Sequence, residues 1–243
     1  MSISKNELRQ VAALSRKKSR DESGLFVVEG EKIVSEALAS GFEVVKVYRK
    51  DEIGEETMAR LSGLSSPSPV LAVVRQKESG VVTLPGRGLY LALDGIRDPG
   101  NLGTILRIAD WFGLDGVFAS PDTVELYNPK VVQSTMGAVF RVPFFTVDIP
   151  SFCRDILAAG GRVYGTFLDG ENLYGKPLDN GAVSPCVIVI GNEANGISRE
   201  TAACVSDRLF IPPYPSDDPG SESLNAAVAT AVTVAEFRRR TSE

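Results

Sequence analysis

The chain has 243 residues, 43% of them hydrophobic and 23% charged, the composition of a folded protein of one or two domains rather than a disordered or fibrous one. Its net charge is −5 and it contains no histidine, which excludes Ser-His-Asp and Cys-His catalysis, histidine proton shuttles and histidine metal ligands. Cys153, Cys186 and Cys204 form no CxxC pair and the carboxylates form no ligand-spaced cluster, so no metal site and no disulfide framework is expected, and the cysteines read as reduced, buried small residues. No apolar run reaches the roughly 18 residues of a membrane span, and the N-terminus lacks an apolar signal core. The expectation is a cytoplasmic protein with no membrane contact.

In chain order, the periodicity predicts a helix from Asn6 to about Lys18, a strand over 25–29 and a helix over 31–40 closed by Gly41. A strand over 42–48, a short helix over 55–61 and a strand over 70–76 complete a small α/β unit. The first 20 residues carry six bases against the single acid Glu7. The cluster Arg16, Lys17, Lys18 and Arg20 reads either as a foothold for RNA or as a solvated helix end. Residues 81–88, rich in Gly and Pro, read as a linker between this unit (1–80) and the remainder (89–243).

Beyond the linker the alternation restarts. Strands are predicted at 89–94, 116–120, 144–148, 162–168, 186–192 and 208–212. Helices fall at 101–112, around 129–139, at 151–160, from Ser198 and from about Leu224 to Arg240. Strands alternating with helices predict an α/β fold with a mostly parallel sheet covered on both faces. Helix 224–240 is apolar over most of its length and must be buried in the core or in an oligomer interface.

Neither common nucleotide fingerprint fits. Gly191 and Gly196 have phosphate-loop spacing, but Ile197 stands where that loop needs lysine, and no GxGxxG follows the first strand of either half. Three segments stand out instead. In LDGIRDPGNLGTILRIADWFG (93–113) a turn opens a helix that Asn101 is suited to cap, and Arg107 lies about 120° around the helix from Asn101. Arg107 reads as a ligand-facing cation or as a surface arginine snorkelling over the core. In VIVIGNEANGIS (187–198) a buried strand ends at Gly191, Asn192 and Glu193. Gly191 would let a ligand approach the backbone, and Glu193 faces either a partner or solvent. In the third segment, 211–237, a proline-rich loop leads to Ser223, Leu224 and Asn225, which read as ligand contacts or as a plain helix N-cap.

Taken together and in this order, the three segments resemble the SpoU family of RNA ribose 2′-O-methyltransferases, within the SPOUT superfamily, over residues 89–240. NPKVVQSTMGAVFRVP (128–143) matches the family's intervening segment, and the first 80 residues resemble the RNA-binding domain, similar to a ribosomal-protein fold, that often precedes it. The resemblance implies a trefoil knot, S-adenosyl-L-methionine as methyl donor and a homodimer with active sites near the interface. Carried across by motif, the donor would be held largely by backbone at Gly191, Ile211 and Leu224, with Asn192, Ser223 and Asn225 as neighbours and Thr166 toward the adenosine. Asn101, Arg107, Glu193 and Asn225 match the family's polar catalytic set.

The implied activity transfers methyl from S-adenosyl-L-methionine to a ribose 2′-hydroxyl of RNA, ribosomal RNA before transfer RNA. Two alternatives stand beside it: a non-catalytic donor-binding RNA factor, and a small-molecule methyltransferase on the same fold. PSDDPG (215–220) lengthens the usual spacing between Ile211 and Leu224, and its Asp217 and Asp218 would repel phosphate if they faced RNA.

Overall fold

The protein is described by a computed structural model at residues 3–77, 83, 86–215 and 222–240. Two compact units emerge, Met1–Glu78 with Glu125–Arg141, and Ser79–Val124 with Val142–Glu243. Residues 125–141 thus lie within the expected 89–243 domain along the chain but pack in the first unit. Half of the expected linker 81–88 lies outside the described residues.

The first unit runs α1 (Lys5–Ala13), α2 (Lys17–Ser23), β1 (Leu25–Glu29), α3 (Glu31–Ala39), β2 (Val44–Arg49), α4 (Lys50–Ile53), α5 (Glu55–Leu61) and β3 (Val70–Arg75). Its strands form an antiparallel sheet of order β1-β3-β2. The central strand β3 is buried on both faces, as its unbroken apolar run requires. Val70, Ala72 and Val74 join Ile33 and Val34 of α3 with Val132, Val139 and Phe140, whereas Leu71 and Val73 join Val11 and Leu14 with Met58 and Leu61 of α5. Residues 125–141 therefore cover one face of the sheet.

The single helix expected over 6–18 is two helices. The Ser15 hydroxyl donates to Ala12 O (2.8 Å), and Arg16 takes extended dihedrals as the N-cap of α2. Side-chain competition for backbone carbonyls explains the break.

The second unit contains β4 (Gly88–Asp94), α6 (Pro99–Trp111) and β5 (Gly116–Ala119). After α7 (Pro129–Thr135), which belongs to the first unit, come β6 (Phe144–Thr146), α8 (Ile149–Ala158), β7 (Arg162–Asn172), β8 (Pro185–Gly191), α9 (Arg199–Ala202), β9 (Asp207–Phe210) and α10 (Ala226–Arg239). The helix expected around 129–139 stops at Thr135, where Met136 (φ 50°) and Gly137 (φ 98°) turn left-handed. All strand pairs in the sheet are parallel, in the order β6-β5-β4-β8-β7-β9. From β4 the chain first winds outward through β5 and β6, then returns to build the other half. The switch point is between β4 and β8, whose carboxyl ends lie side by side.

One face of this sheet packs Phe152, Cys153 and Ile156 of α8 against Ala92, Val163, Val187 and Val189. Helices α6 and α10 run alongside each other and are tied at both ends. Asn225 Nδ2 donates to Asn101 Oδ1 (2.9 Å) at one end, and the Arg238 guanidinium donates to Phe112 O (2.8 Å) and Gly113 O (2.6 Å) at the other. The latter pair satisfies terminal carbonyls of α6 and places a cation at its negative end. Only one side of α10 is buried, through Ala226, Ala227, Thr230, Thr233, Val234 and Phe237, and Val228 is exposed.

The last turn of α10 carries Glu236, 7% exposed, paired with Arg239 and Arg240. Arg240 also donates to the carbonyls of Leu173, Tyr174 and Lys176. Hydrogen bonds first from Arg239 and then from Arg240 outweigh burial and hold the Glu236 carboxyl at about 2 against an ordinary 4.5. A carboxyl depressed on folding stabilises above its unfolded pKa and ceases to do so as pH falls through the folded one. Glu236→Gln is therefore expected to cost on the order of 2–3 kcal/mol at neutral pH. In urea unfolding, the gap to the wild type should close between about pH 4.5 and pH 2.

Among the described residues, no helix is long and apolar enough to cross a membrane, and no group of acidic or cysteine side chains is arranged to hold a metal ion.

Candidate active site

The three sequence segments meet where β4 and β8 end. After β4 the chain turns through residues 95–98 into α6, which is capped by Asp98: its Oδ1 accepts from Asn101 N (2.8 Å), with Pro99 in the first helical turn. The cap expected at Asn101 is thus supplied three residues earlier. Proline is at home at the start of a helix, where its missing N–H costs nothing, and Asp98 takes the capping position. That frees the Asn101 side chain.

After β8 the chain makes a closed loop. Asn192 and Gly196 exchange backbone hydrogen bonds (2.9 and 3.0 Å), and Asn192 Oδ1 accepts from Ala194 N (3.0 Å) and Asn195 N (3.1 Å). Gly196 sits at φ 68°, a left-handed position that suits glycine. At Gly191, a Cβ would lie 2.2 Å from both Gly196 C and Ile197 N. The close approach expected there from a ligand is made by the chain's own backbone.

Several bonds fasten this loop to the turn after β4. Asp94 Oδ2 accepts from Ser198 N (2.8 Å), and Asn192 Nδ2 donates to Gly95 O (2.6 Å). Glu193 accepts from Arg97 N (3.3 Å), Asp98 N (3.2 Å) and Asn101 Nδ2 (2.9 Å). Burial alone would raise the Glu193 carboxyl, but the donors from Asn101, Asp98 and Arg97 prevail and hold it below the usual carboxylate range.

Asn101 then connects to the third segment. Its Oδ1 accepts from Asn225 Nδ2 (2.9 Å), and Asn225 Oδ1 accepts from Ala227 N (2.9 Å) and Val228 N (3.3 Å) at the start of α10. The hydrogen bonds run one way, from Asn225 through Asn101 to Glu193, which fixes both amide orientations. Asn225 is both a helix cap and a site residue, so the two readings of it coexist.

The other residues singled out are placed as follows. Arg107 is exposed on α6, and no described hydrogen bond or ion pair joins it to this chain of amides. Thr166 is half-buried, its hydroxyl 3.5 Å from Val189 O. Ile211 is half-buried, and Ser223 and Leu224 are exposed. The backbone groups of Ile211 and Leu224 hydrogen-bond to no other described residue. They have donors and acceptors to offer a heterocycle, and beside them apolar side chains to cover it. These features fit an adenosyl ligand held by main chain. Asp217 and Asp218 lie outside the described residues.

In the first unit, Arg16, Lys17 and Lys18 are exposed, with Lys17 and Lys18 in surface pairs with Asp21 and Glu22. Arg20 separates from this cluster. It is 2% exposed, donates to Leu14 O (2.8 Å) and Ser15 O (3.0 Å), and pairs with Glu125. A guanidinium so engaged is a structural clamp and has no face left for RNA. Arg20→Met is expected to cost about 3–5 kcal/mol in urea unfolding, because it strands a carboxylate and two carbonyls. Lys17→Ala and Lys18→Ala should each change stability by less than about 0.5 kcal/mol.

Sequence reasoning passed over Asp94 and Asp122, and took Asp98 only as part of the turn that opens the helix. A usable signal existed for Asp98, an acid directly before proline at a helix start. Asp94, the first charged residue after a wholly apolar strand run, carried a weaker one.

The sequence matches the SpoU rRNA Methylase family over residues 88–235 and an MRM3-like substrate binding domain over residues 5–76. It is 30% identical over 240 residues, 93% of each chain, to the 23S rRNA (guanosine(2553)-2'-O)-methyltransferase RlmP of Bacillus subtilis. It is 28% identical to the 23S rRNA (uridine(2479)-2'-O)-methyltransferase of Streptomyces viridochromogenes, covering 95% of this chain and 88% of that one. Among solved structures, an AdoMet-bound rRNA methyltransferase from Sinorhizobium meliloti superposes with a TM-score of 0.86 at 30% identity, covering 99% of this chain and 98% of that one.

Proposed function

Because the chain belongs to the SpoU rRNA methylase family, we propose that it transfers a methyl group from S-adenosyl-L-methionine to a ribose 2′-hydroxyl of RNA, ribosomal RNA before transfer RNA. The observation that carries this reading is the Asn225–Asn101–Glu193 chain, in which single side chains from three distant segments meet at the sheet's switch point. Relatives that act on 23S ribosomal RNA and the match of residues 5–76 to a substrate-binding domain favour the ribosomal substrate.

When bound, S-adenosyl-L-methionine supplies a methyl group on a positively charged sulfur, and a ribose 2′-oxygen must lie in line with it. The backbone of Gly191, Ile211 and Leu224 holds the donor, with Asn192, Ser223 and Thr166 beside it. The amide chain of Asn225 and Asn101, anchored on the Glu193 anion, keeps the loops at fixed spacing. Placement matters more than acid–base strength for such a transfer. A guanidinium such as that of Arg107 is a poor base. Arg107 binds the phosphate next to the target ribose and stabilises negative charge developing on the 2′-oxygen, while the proton leaves to phosphate or water.

The family's trefoil knot belongs to this reading, as does a division into an RNA-binding domain (1–80), a linker (81–88) and a methyltransferase domain (89–243). A homodimer is supported by the exposed Trp111 of α6 (85%) and Val228 of α10 (48%), which leave apolar surface on adjacent helices. A cytoplasmic location accords with a ribosomal substrate.

The test is transfer of labelled methyl from S-adenosyl-L-methionine to bulk ribosomal and transfer RNA, followed by alkaline hydrolysis. A 2′-O-methyl blocks cleavage at its own linkage, so label in an alkali-resistant dinucleotide is the expected result. Donor binding without label in either RNA would instead favour the non-catalytic factor.

A further inference from the structure

We propose that Arg97, in the turn between β4 and α6, is a second phosphate-binding residue that holds the RNA backbone at the active site. This rests on the RNA-methylating reading of that site.

The described loops at the carboxyl edge of the sheet around the site are residues 94–98, 120–124, 192–198, 211–215 and 222–225. They carry Asp94, Asp98, Asp122, Glu193 and Glu222, and among these described residues Arg97 is the one cation. An RNA strand brought to this edge meets carboxylates that repel it. Two amides at the start of α6 that would otherwise attract a phosphate, Asn101 N and Asp98 N, are already taken by Asp98 and Glu193. A cation is needed there, and the chain provides one.

The geometry fits the role. Arg97 N donates to Glu193 Oε2 (3.3 Å), so the residue's main chain is fastened to the same carboxylate that anchors Asn101. Its side chain, 69% exposed, projects to solvent and touches Asp122 Oδ2 at 3.5 Å through one terminal nitrogen. Asp122 is itself fixed, because its Oδ1 accepts from the Ser120 hydroxyl (2.6 Å), and Ser120 Oγ accepts from Gly95 N (2.8 Å). One long, exposed contact orients the guanidinium without neutralising it. Its remaining N–H donors match two oxygens of a phosphate. Backbone contacts of this kind position a nucleic acid and carry no sequence information.

The test measures equilibrium binding of the full chain to deproteinised bulk ribosomal RNA across about 50–200 mM salt, independently of turnover. Arg97→Gln is expected to weaken binding about 5–20-fold at low salt. It should also make the slope of log affinity against log salt shallower by about 0.7–0.9, the loss of one phosphate contact. S-adenosyl-L-methionine affinity, by calorimetry, should be unchanged. Arg97→Lys keeps the charge and should restore the slope. Arg162→Gln, which removes an exposed cation at the opposite edge of the sheet, should leave the slope unmoved. An unchanged slope in Arg97→Gln, or an equal change in Arg162→Gln, would overturn the proposal and leave Arg97 a tie to Asp122. A moved slope with no methyl transfer by the wild type would uphold the contact while removing the catalytic reading.

Discussion

Arg107→Ala is expected to lower methyl transfer to RNA by about 10²–10³-fold, the usual loss when a charge-stabilising donor is removed from a reacting oxygen. Stability should change by no more than about 0.5 kcal/mol. These two expectations are compatible because Arg107 is exposed on α6, so its removal leaves no buried group unpaired. In the proposed site the donor is held by other loops, so affinity for S-adenosyl-L-methionine should be unchanged. Single-turnover kinetics at saturating donor and RNA would separate the loss in the chemical step from any loss in RNA affinity. Arg107→Lys should recover only part of the rate, since an ammonium cannot make a two-pronged contact with phosphate. Near-normal turnover in Arg107→Ala, with RNA still bound, would remove the arginine from the mechanism.

Gly191→Ala should abolish donor binding by a different route. The added carbon would sit 2.2 Å from Gly196 C and Ile197 N, and these are backbone atoms that no rotamer change can move aside. The 192–198 loop must shift, and with it the carboxylate of Glu193 and the amides it holds. We expect a cost of about 1–3 kcal/mol in unfolding and a donor affinity too weak to measure by calorimetry. Gly196→Ala is the control. It meets no atom within 4 Å, and its φ of 68° makes the strain local. It should cost about 1 kcal/mol and retain binding. Normal donor affinity in Gly191→Ala would separate the loop's shape from the donor site.

Gly191 also shows how one local signal can have more than one physical cause. In the sequence it stands at the end of an apolar strand, where glycine signals a close backbone approach. Nothing local says whether the approaching group is a ligand or the next turn of the same chain. Asn101 is a second case. Helix-start chemistry is legible in DPGN, but Asp98 and Asn101 both satisfy a capping rule, and only the position of the first helical residue decides between them. Arg20 is the sharpest. Six bases among twenty residues read as one surface, yet Glu125, 105 residues away, draws Arg20 inside.

By itself the sequence determined the alternation of strands and helices and the three segments that meet where β4 and β8 end. These features are periodic or composed of neighbours, so short-range sterics and burial specify them. Only the tertiary structure decided that the first sheet is antiparallel, that residues 125–141 cover it, and that Asn225, Asn101 and Glu193 form one directed chain. The last of these depends on contacts between residues 92 and 124 positions apart. A hydrogen bond requires placement within a few tenths of an ångström, and such placement exists only after β4 and β8 pair and α10 packs beside α6.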